Sequence, residues 1–151
     1  LTNEQRSRIL ALVQRYTQLG YDLRIETPEY LPLEIEIEVC VSRDHFRADV
    51  AGDVALALSN RVLPDGTLGF FHPDRFSFGQ TLYLSELYAA AASVEGVLSA
   101  TVTKLNRQGA EPGGELDRGF ITPGRREILR LDNDPNFPEN GTLRLTMRGG
   151  K

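Results

Sequence analysis

The first residues to consider are those whose side chains could take part in chemistry. His45 and His72 are the only histidines in the chain, and Asp74 follows His72 by two residues. A histidine beside a carboxylate can form half of a nucleophilic site. No nucleophile-elbow sequence accompanies this pair, and an isolated loop histidine is more often exposed or hydrogen-bonded to its neighbours. We therefore do not expect catalysis at His72.

Cys40 is the only cysteine, so an internal disulfide framework is excluded. It lies on the polar side of an alternating run, and no predicted helix N-terminus is next to it to activate the thiol. We interpret Cys40 as an inert thiol.

A possible cation site lies in the run LDNDPNFPENG. Asp132, Asp134, Asn136 and Glu139 place oxygen atoms at near-alternate positions, which is the ligand type that Ca²⁺ prefers. Phe137 stands where an EF-hand loop needs glycine, and two prolines interrupt the pattern. A proline-stiffened turn is therefore the favoured interpretation, with a calcium site as the alternative.

The element expected to position the rest of the chain is the run LEIEIEVCV at residues 33–41. Its odd-numbered residues are all apolar, and Glu34, Glu36 and Glu38 occupy the intervening positions. Side chains alternate between the two faces of a strand, so this pattern predicts a strand with one buried and one exposed face. These three carboxylates lie on a flat strand and not in a cleft, so they are a weak candidate for a catalytic acid–base pair.

The flanking patterns predict the other elements. Thr2 and Gln5 fit a capping box, Asp44 and Ser85 are candidate N-caps, and Gly96 is a candidate left-handed helix end. Gly52 lies inside the second helix, which a close contact between helix and sheet would explain. We predict helices over residues 3–17, about 46–62 and 85–96, and strands over 21–27, 33–41, 97–106, 127–132 and 142–148. The last two strands are expected to form a hairpin with a long loop, and residues 107–126 an exposed excursion.

These elements predict an α+β fold, with a mixed or antiparallel sheet of four to five strands and helices packed on one face. We expect residues 1–20 to form an N-terminal helix that continues from a missing upstream region, and residues 21–151 to form the α+β domain. Arg130, Arg144 and Arg148 lie on the polar sides of the last two strands, where they could pair with the glutamate row if the strands are neighbours.

The loop LPDGTLGFFHPDRFSFGQ, residues 63–80, carries four of the seven phenylalanines. A loop of this length is expected to be functional or packed on itself. Phe70, Phe71, Phe76 and Phe78 could fold back as a small satellite core. Alternatively, some of these rings anchor a neighbouring subunit, because aromatic residues are favoured at interface centres.

The composition excludes several classes of protein. The chain of 151 residues suits one domain, and its net charge of −4 makes nucleic acid a poor candidate partner. No apolar run approaches the roughly 20 residues that span a bilayer. The start is polar, with no signal peptide, and it lacks an initiating methionine. We therefore expect the chain to be part of a longer protein, cut at Leu1.

Long stretches of this sequence resemble the C-terminal region of baseplate assembly proteins of the baseplate J-like family, found in contractile phage tails and related bacterial injection particles. The resemblance covers most of residues 19–150, and the terminal Arg-Gly-Gly-Lys is similar to a natural end of such proteins. The matching stretches are LGYDLRIETPEYLPLEIEIEVCV, FRADV, SNRVLPDGTLGFFHPDRFSFGQ, LYLSELYAAAASVEGV and LDNDPNFPENGTLRLTMRGG.

The resemblance implies a structural role in the baseplate wedge, a ring around the tail tube that couples host contact to sheath contraction. It implies contacts with other copies of the chain and with other wedge proteins, and it carries over no catalytic residue. From the residues themselves we expect no cofactor, metal ion, nucleic acid or membrane partner. It also implies location in the bacterial cytoplasm during assembly and then in the particle. A glycan- or host-surface-binding module is the alternative.

Rigid loops lose less entropy on binding, so the two proline-stiffened loops are the predicted interface. Charge substitution at Phe70 and Phe71 is expected to block assembly without unfolding the domain, whereas unfolding would identify these rings as core. The predicted interface residues are Phe70, Phe71, His72, Phe76, Phe78, Asn136 and Phe137.

Overall fold

Helices and strands intermix along the chain in a computed structural model that describes residues 2–17, 25 and 27–151. The fold is α+β, as predicted, with a mixed four-stranded sheet and a small second sheet. The elements are α1 (Asn3–Gln14), β1 (Glu29–Val41), α2 (Arg47–Ala57), β2 (Leu82–Tyr83), α3 (Leu84–Ala92), β3 (Val97–Arg107), α4 (Glu115–Arg118), β4 (Phe120–Ile121), β5 (Glu127–Arg130) and β6 (Thr142–Gly149).

The central strand of the main sheet is β1, which contains the alternating run. Its odd-numbered residues from Leu33 to Val41 are at most 1% exposed, whereas the residues between them are half-buried. β3 pairs with β1 in antiparallel register on one side, and β5 and β6 pair with it in parallel. The alternation in the sequence therefore becomes a sheet with one apolar and one polar face.

The hairpin predicted for the last two strands is wrong, because β5 and β6 run in the same direction. β5 pairs with residues 29–32 of β1 and β6 with residues 34–41, so the two lie end to end along one side of β1. Residues 131–141, which connect β5 to β6, leave the side of β1 after β5 and return to it where β6 begins. Gly141 makes the return possible, because it has φ +102° and a Cβ there would lie 2.9 Å from the carbonyl oxygen of Arg130.

The apolar face of the sheet is covered by α2 and α3. Val50 and Val54 of α2 and Leu87 and Ala91 of α3 join the same buried cluster as β1. Full burial of a valine or leucine side chain contributes about 1.5–3 kcal/mol relative to exposure. The suggested close contact at Gly52 is absent, since a Cβ there would meet nothing within 4 Å.

The helix ends agree in part with the predicted caps. The capping box at Thr2 is confirmed, with Thr2 Oγ1 accepting from Gln5 N at 3.2 Å and Gln5 Oε1 accepting from Thr2 N at 2.9 Å. Gly96 has the predicted left-handed conformation, with φ +87°. Asp44 and Ser85 are not N-caps, because α2 begins at Arg47 and α3 at Leu84. The N-cap of α3 is Tyr83, two residues before Ser85, and its backbone N–H donates to Glu86 Oε2 at 3.2 Å.

The region 107–126 is not wholly exposed, which corrects the sequence-based expectation. β4 lies within it and pairs with β2, and this pairing buries Ile121 opposite Leu82. Short elements of this kind carry too few residues to show a period in the sequence.

The N-terminal helix α1 ends at Gln14, three residues before the predicted end, and buries none of its residues. The strand predicted over 21–27 and the domain boundary at residue 20 fall largely outside the described residues. Among the described helices, none combines the length and the apolar character needed to cross a bilayer.

Candidate interaction surface

The loop of residues 63–80, which we call the Phe-rich loop, folds back on the core. Phe70 and Phe71 are 8% and 3% exposed, and their rings meet edge to face with centroids 5.0 Å apart. Phe76 packs against both rings, at 5.9 Å from Phe70 and 5.6 Å from Phe71. This corrects the expectation that Phe70 and Phe71 face a partner, because their contact surfaces are already used within the chain. The satellite-core interpretation describes these three rings.

His72 stabilises a turn in this loop. Its Nδ1 accepts a hydrogen bond from Asp74 N at 3.2 Å and lies 3.8 Å from Asp74 Oδ2. Both contacts are local to the 3-10 turn Pro73–Arg75, which His72 precedes. The arrangement caps the turn, so the pairing seen in the sequence has a structural use.

Three of the predicted interface residues remain on the surface. Phe78 and Phe137 are 54% and 53% exposed, and Asn136 is exposed beside Phe137. Asp134 Oδ1 accepts from Asn136 N at 2.9 Å and from Asn136 Nδ2 at 3.1 Å, which holds the loop that presents Phe137. The interface prediction therefore depends on these exposed residues, and it stays a prediction.

The polar face of the sheet carries a ladder of ion pairs. Glu34 meets Lys104 of β3 at 2.7 Å. On the other side of β1, the Glu36 and Glu38 carboxylates meet Arg144 and Arg148 of β6. The closest N–O distances of these last two pairs are 3.3 and 2.8 Å. The predicted pairing of the glutamate row with β6 is thus confirmed.

The third predicted arginine, Arg130, pairs elsewhere. Its guanidinium donates to Asp132 Oδ2 through two nitrogens, at 2.5 and 3.0 Å, and Asn60 Nδ2 donates to Asp132 Oδ1 at 3.0 Å. The hydrogen bonds to Asp132 raise the pKa of Arg130 above its ordinary value. The guanidinium also lies over the Tyr30 ring, 5.2 Å from its centroid. These four side chains form a network that the sequence did not indicate, since Asn60 and Asp132 are 72 residues apart.

Two surface depressions lie on either side of this network and share Asn60 and Asp132. One, of about 270 Å³, lies against α2 and Leu143, and the other, of about 340 Å³, lies against Tyr30 and Phe71. Asp132, the first residue of the possible cation site, is already bound to Arg130 and Asn60. Within residues 2–17, 25 and 27–151, no three His, Cys, Asp or Glu side chains gather in a way that could hold a metal ion.

A second exposed aromatic pair lies on the small sheet. Tyr83 of β2 and Phe120 of β4 are directly opposite in register, with ring centroids 6.0 Å apart. They are 50% and 36% exposed, and Leu116 of α4 is 37% exposed. Arg118 lies over the Phe120 ring at 6.0 Å. The sequence does not reveal this pair, because the two strands have only two residues each.

Comparison with models of known protein families finds no match for this chain. No curated protein matches it either.

Proposed function

We propose that this chain is a structural subunit of the baseplate wedge of a contractile phage tail or a related injection particle. In this role it mediates ring assembly and transmits the contraction signal. The observation that carries the proposal is the resemblance of five stretches, which cover most of residues 19–150, to the C-terminal region of baseplate J-like proteins. A role of this kind needs contact surfaces and a stable domain, and it needs no bond-making centre.

The geometry supports a role in protein–protein contact. The exposed aromatic residues Phe78, Tyr83, Phe120 and Phe137 are the type enriched at interface centres. The charged side chains of the open sheet face are already paired in a ladder. Such a face can contact another protein without leaving many unpaired charges, which makes association less costly.

The mechanism that follows is conformational. Contacts between subunits hold the ring in its state before contraction, and rearrangement of those contacts releases the sheath. Interfaces act as switches when two packed arrangements differ by only a few kcal/mol. The ion pairs on the polar face join half-buried carboxylates to more exposed arginines, so a partner can bind the exposed side of each guanidinium while the pairs with β1 and the apolar core stay in place.

One feature favours the alternative, a glycan- or host-surface-binding module. Tyr30 is 53% exposed and lines the depression that also contains Asn60, Arg130 and Asp132. Aromatic faces beside polar side chains suit a sugar ring. However, the three polar side chains are hydrogen-bonded to one another and one face of Tyr30 is occupied by Arg130, so fewer groups are free for a ligand.

The test of the wedge role is deletion of the encoding gene, followed by electron microscopy of the particles. We expect the deletion strain to lack complete baseplates, and the wild-type gene to restore them. Phe137→Glu should restore fewer particles than the conservative variant Phe137→Tyr. Normal, contractile tails in the deletion strain would refute the proposed function. Full complementation by Phe137→Glu would refute only the interface assignment of that residue.

The alternative function, binding of a glycan or host surface, is tested by measuring sugar binding. The purified chain is applied to a glycan array beside Tyr30→Ala, with circular dichroism to confirm that the variant is folded. Specific sugar binding that disappears in Tyr30→Ala would favour the binding module over the wedge subunit.

A further inference from the structure

Among the described residues, β6 is an edge strand whose outer side is open. It pairs with β1 on one side, and no strand in the part of the chain that the structure describes pairs with the other. Edge strands present a row of backbone N–H and C=O groups that can accept a further strand. β6 spans eight residues, which is long enough for such pairing.

The direction of the open backbone groups follows from Leu143. Its N–H donates to Asn133 Oδ1 at 2.9 Å and so takes no part in the pairing with β1, whereas the amide of the even-numbered Gly150 donates to the Val41 carbonyl of β1 at 3.1 Å. Backbone groups of alternate residues point to the same side of a strand. Leu145 and Met147 therefore direct their N–H and C=O groups toward the open side as well.

The side chains along this edge are incompletely covered. Leu143, Leu145 and Met147 pack against the core but remain only partly buried, because the apolar layer ends at β6. On the polar face, Arg144 and Arg148 are each paired with a glutamate of β1, but their side chains are still 80% and 67% exposed, and a guanidinium has enough N–H donors to bind a second carboxylate. A strand added here would therefore extend the apolar layer on one face and lie beside two arginines on the other.

The charges argue against a second copy of this chain as the occupant. Two β6 strands related by a twofold axis would place arginines of one copy near those of the other, which is unfavourable across a strand pair. The other open strand, β3, carries Lys104, Thr101 and Ser99 on the polar face, and so offers no carboxylate to Arg144 or Arg148. Neither edge of the sheet complements β6.

We propose that β6 is a docking edge for an extended segment of another protein in which apolar and acidic residues alternate. The segment adds as a strand, with its backbone bonded to Leu145 and Met147, its apolar side chains beside those of β6, and its carboxylates beside Arg144 and Arg148. This inference goes beyond the proposed function and does not depend on it, because the same edge would be available in any assembly.

The probe is an eight-residue peptide of alternating isoleucine and glutamate, with every second amide N-methylated so that it has one pairing edge and cannot stack on itself. The matched control peptide has lysine in place of glutamate. We expect the acidic peptide to bind at least tenfold more tightly in fluorescence anisotropy. We also expect it to slow hydrogen exchange of the Leu145 and Met147 amides at least tenfold.

Charge-swapped variants test the recognition without removing the ion pairs. Glu36→Arg with Arg144→Glu, combined with Glu38→Arg and Arg148→Glu, keeps each pair across β1 and β6 but presents acids at the edge. This variant should prefer the lysine peptide. The matched control, Glu34→Lys with Lys104→Glu, changes the opposite side of β1 and should keep the preference for the acidic peptide.

Several results would overturn the proposal. One is an unchanged preference in the β6 swap variant after circular dichroism shows that it is folded. Another is peptide binding that protects β3 amides and not those of β6. Protection of the Leu145 and Met147 amides that rises with protein concentration in the absence of peptide would instead identify a second copy as the occupant. None of these outcomes bears on the wedge role.

Discussion

Replacing Phe71 with alanine tests whether this side chain is part of the hydrophobic core or lies on the surface. Phe71 is 3% exposed and contacts both Phe70 and Phe76. Replacing a buried phenylalanine with alanine loses the transfer free energy of the ring and leaves a cavity, which costs about 3–5 kcal/mol. For a chain of this size, each kcal/mol lowers Tm by about 2–4 °C. We therefore expect Phe71→Ala to lower Tm by roughly 6–20 °C.

The same loop supplies the matched control. Phe78 is 54% exposed, so Phe78→Ala should change the free energy of unfolding by less than about 1 kcal/mol. Both variants are measured by urea unfolding monitored with circular dichroism, and by differential scanning calorimetry. A loss below about 1 kcal/mol in Phe71→Ala would contradict the core assignment. An equal loss in the two variants would show that burial within this loop does not separate its rings.

Three further predictions concern polar contacts and backbone conformation. Asp132→Ala should lower the free energy of unfolding by about 1–3 kcal/mol in urea melts, because it leaves the Arg130 guanidinium without its acceptor in a partly buried network. An unchanged free energy of unfolding would show that water replaces the carboxylate. The pKa of Glu127 is lowered, first by the backbone amide that donates to it, so its contribution to stability is present above the ordinary glutamate pKa of about 4.3 and is lost as pH falls through the lower folded value. Glu127→Gln should therefore lose less stability than the wild type between about pH 5 and pH 3, and parallel pH–stability curves would exclude this linkage. Gly96→Ala should lower the free energy of unfolding by at least about 1–2 kcal/mol in thermal melts, because φ is +87° and a Cβ would lie 2.8 Å from the His45 ring. The control Gly109→Ala, which is also at positive φ but has nothing within 4 Å, should lower it less.

The arrangement of the sheet suggests how this domain could respond to a partner. β6 connects the apolar core, through Leu143, Leu145 and Met147, with the ion pairs of the polar face. A strand added to its open edge would alter both layers at once. α2 packs over β6, so it lies directly beside the strand that would receive the added segment.

The loop aromatics show the limit of inference from residue type. Phe70, Phe71, Phe76 and Phe78 lie within nine residues and have the same side chain, yet two are buried and one is half exposed. Their fates depend on which ring the folded loop directs toward α2, where Phe70 N donates to the Ala57 carbonyl at 2.8 Å. No local pattern in an irregular loop specifies that direction.

The sequence by itself determined those helices and strands that are specified by patterns over a few consecutive residues. Strict alternation specified residues 33–41 of β1 and both of their faces, though not the first four residues of the strand, and the pairing of Thr2 with Gln5 specified the start of α1. The signs of the charges were compatible with pairing between the glutamates of β1 and the arginines of the last two strands, on the condition that these strands are neighbours of β1; this pairing formed for Arg144 and Arg148 but not for Arg130. Each of these signals has a period or spacing of a few residues, set by strand or helix geometry.

Only the tertiary structure decided which strands are neighbours and in which direction they run. Period-2 alternation is the same for parallel and antiparallel pairing, so it could not show that β5 and β6 lie end to end beside β1. It likewise could not show that Asn60 would meet Asp132, or that Tyr83 would lie opposite Phe120. Such contacts join residues far apart in the chain, and they exist because the whole core packs in one arrangement.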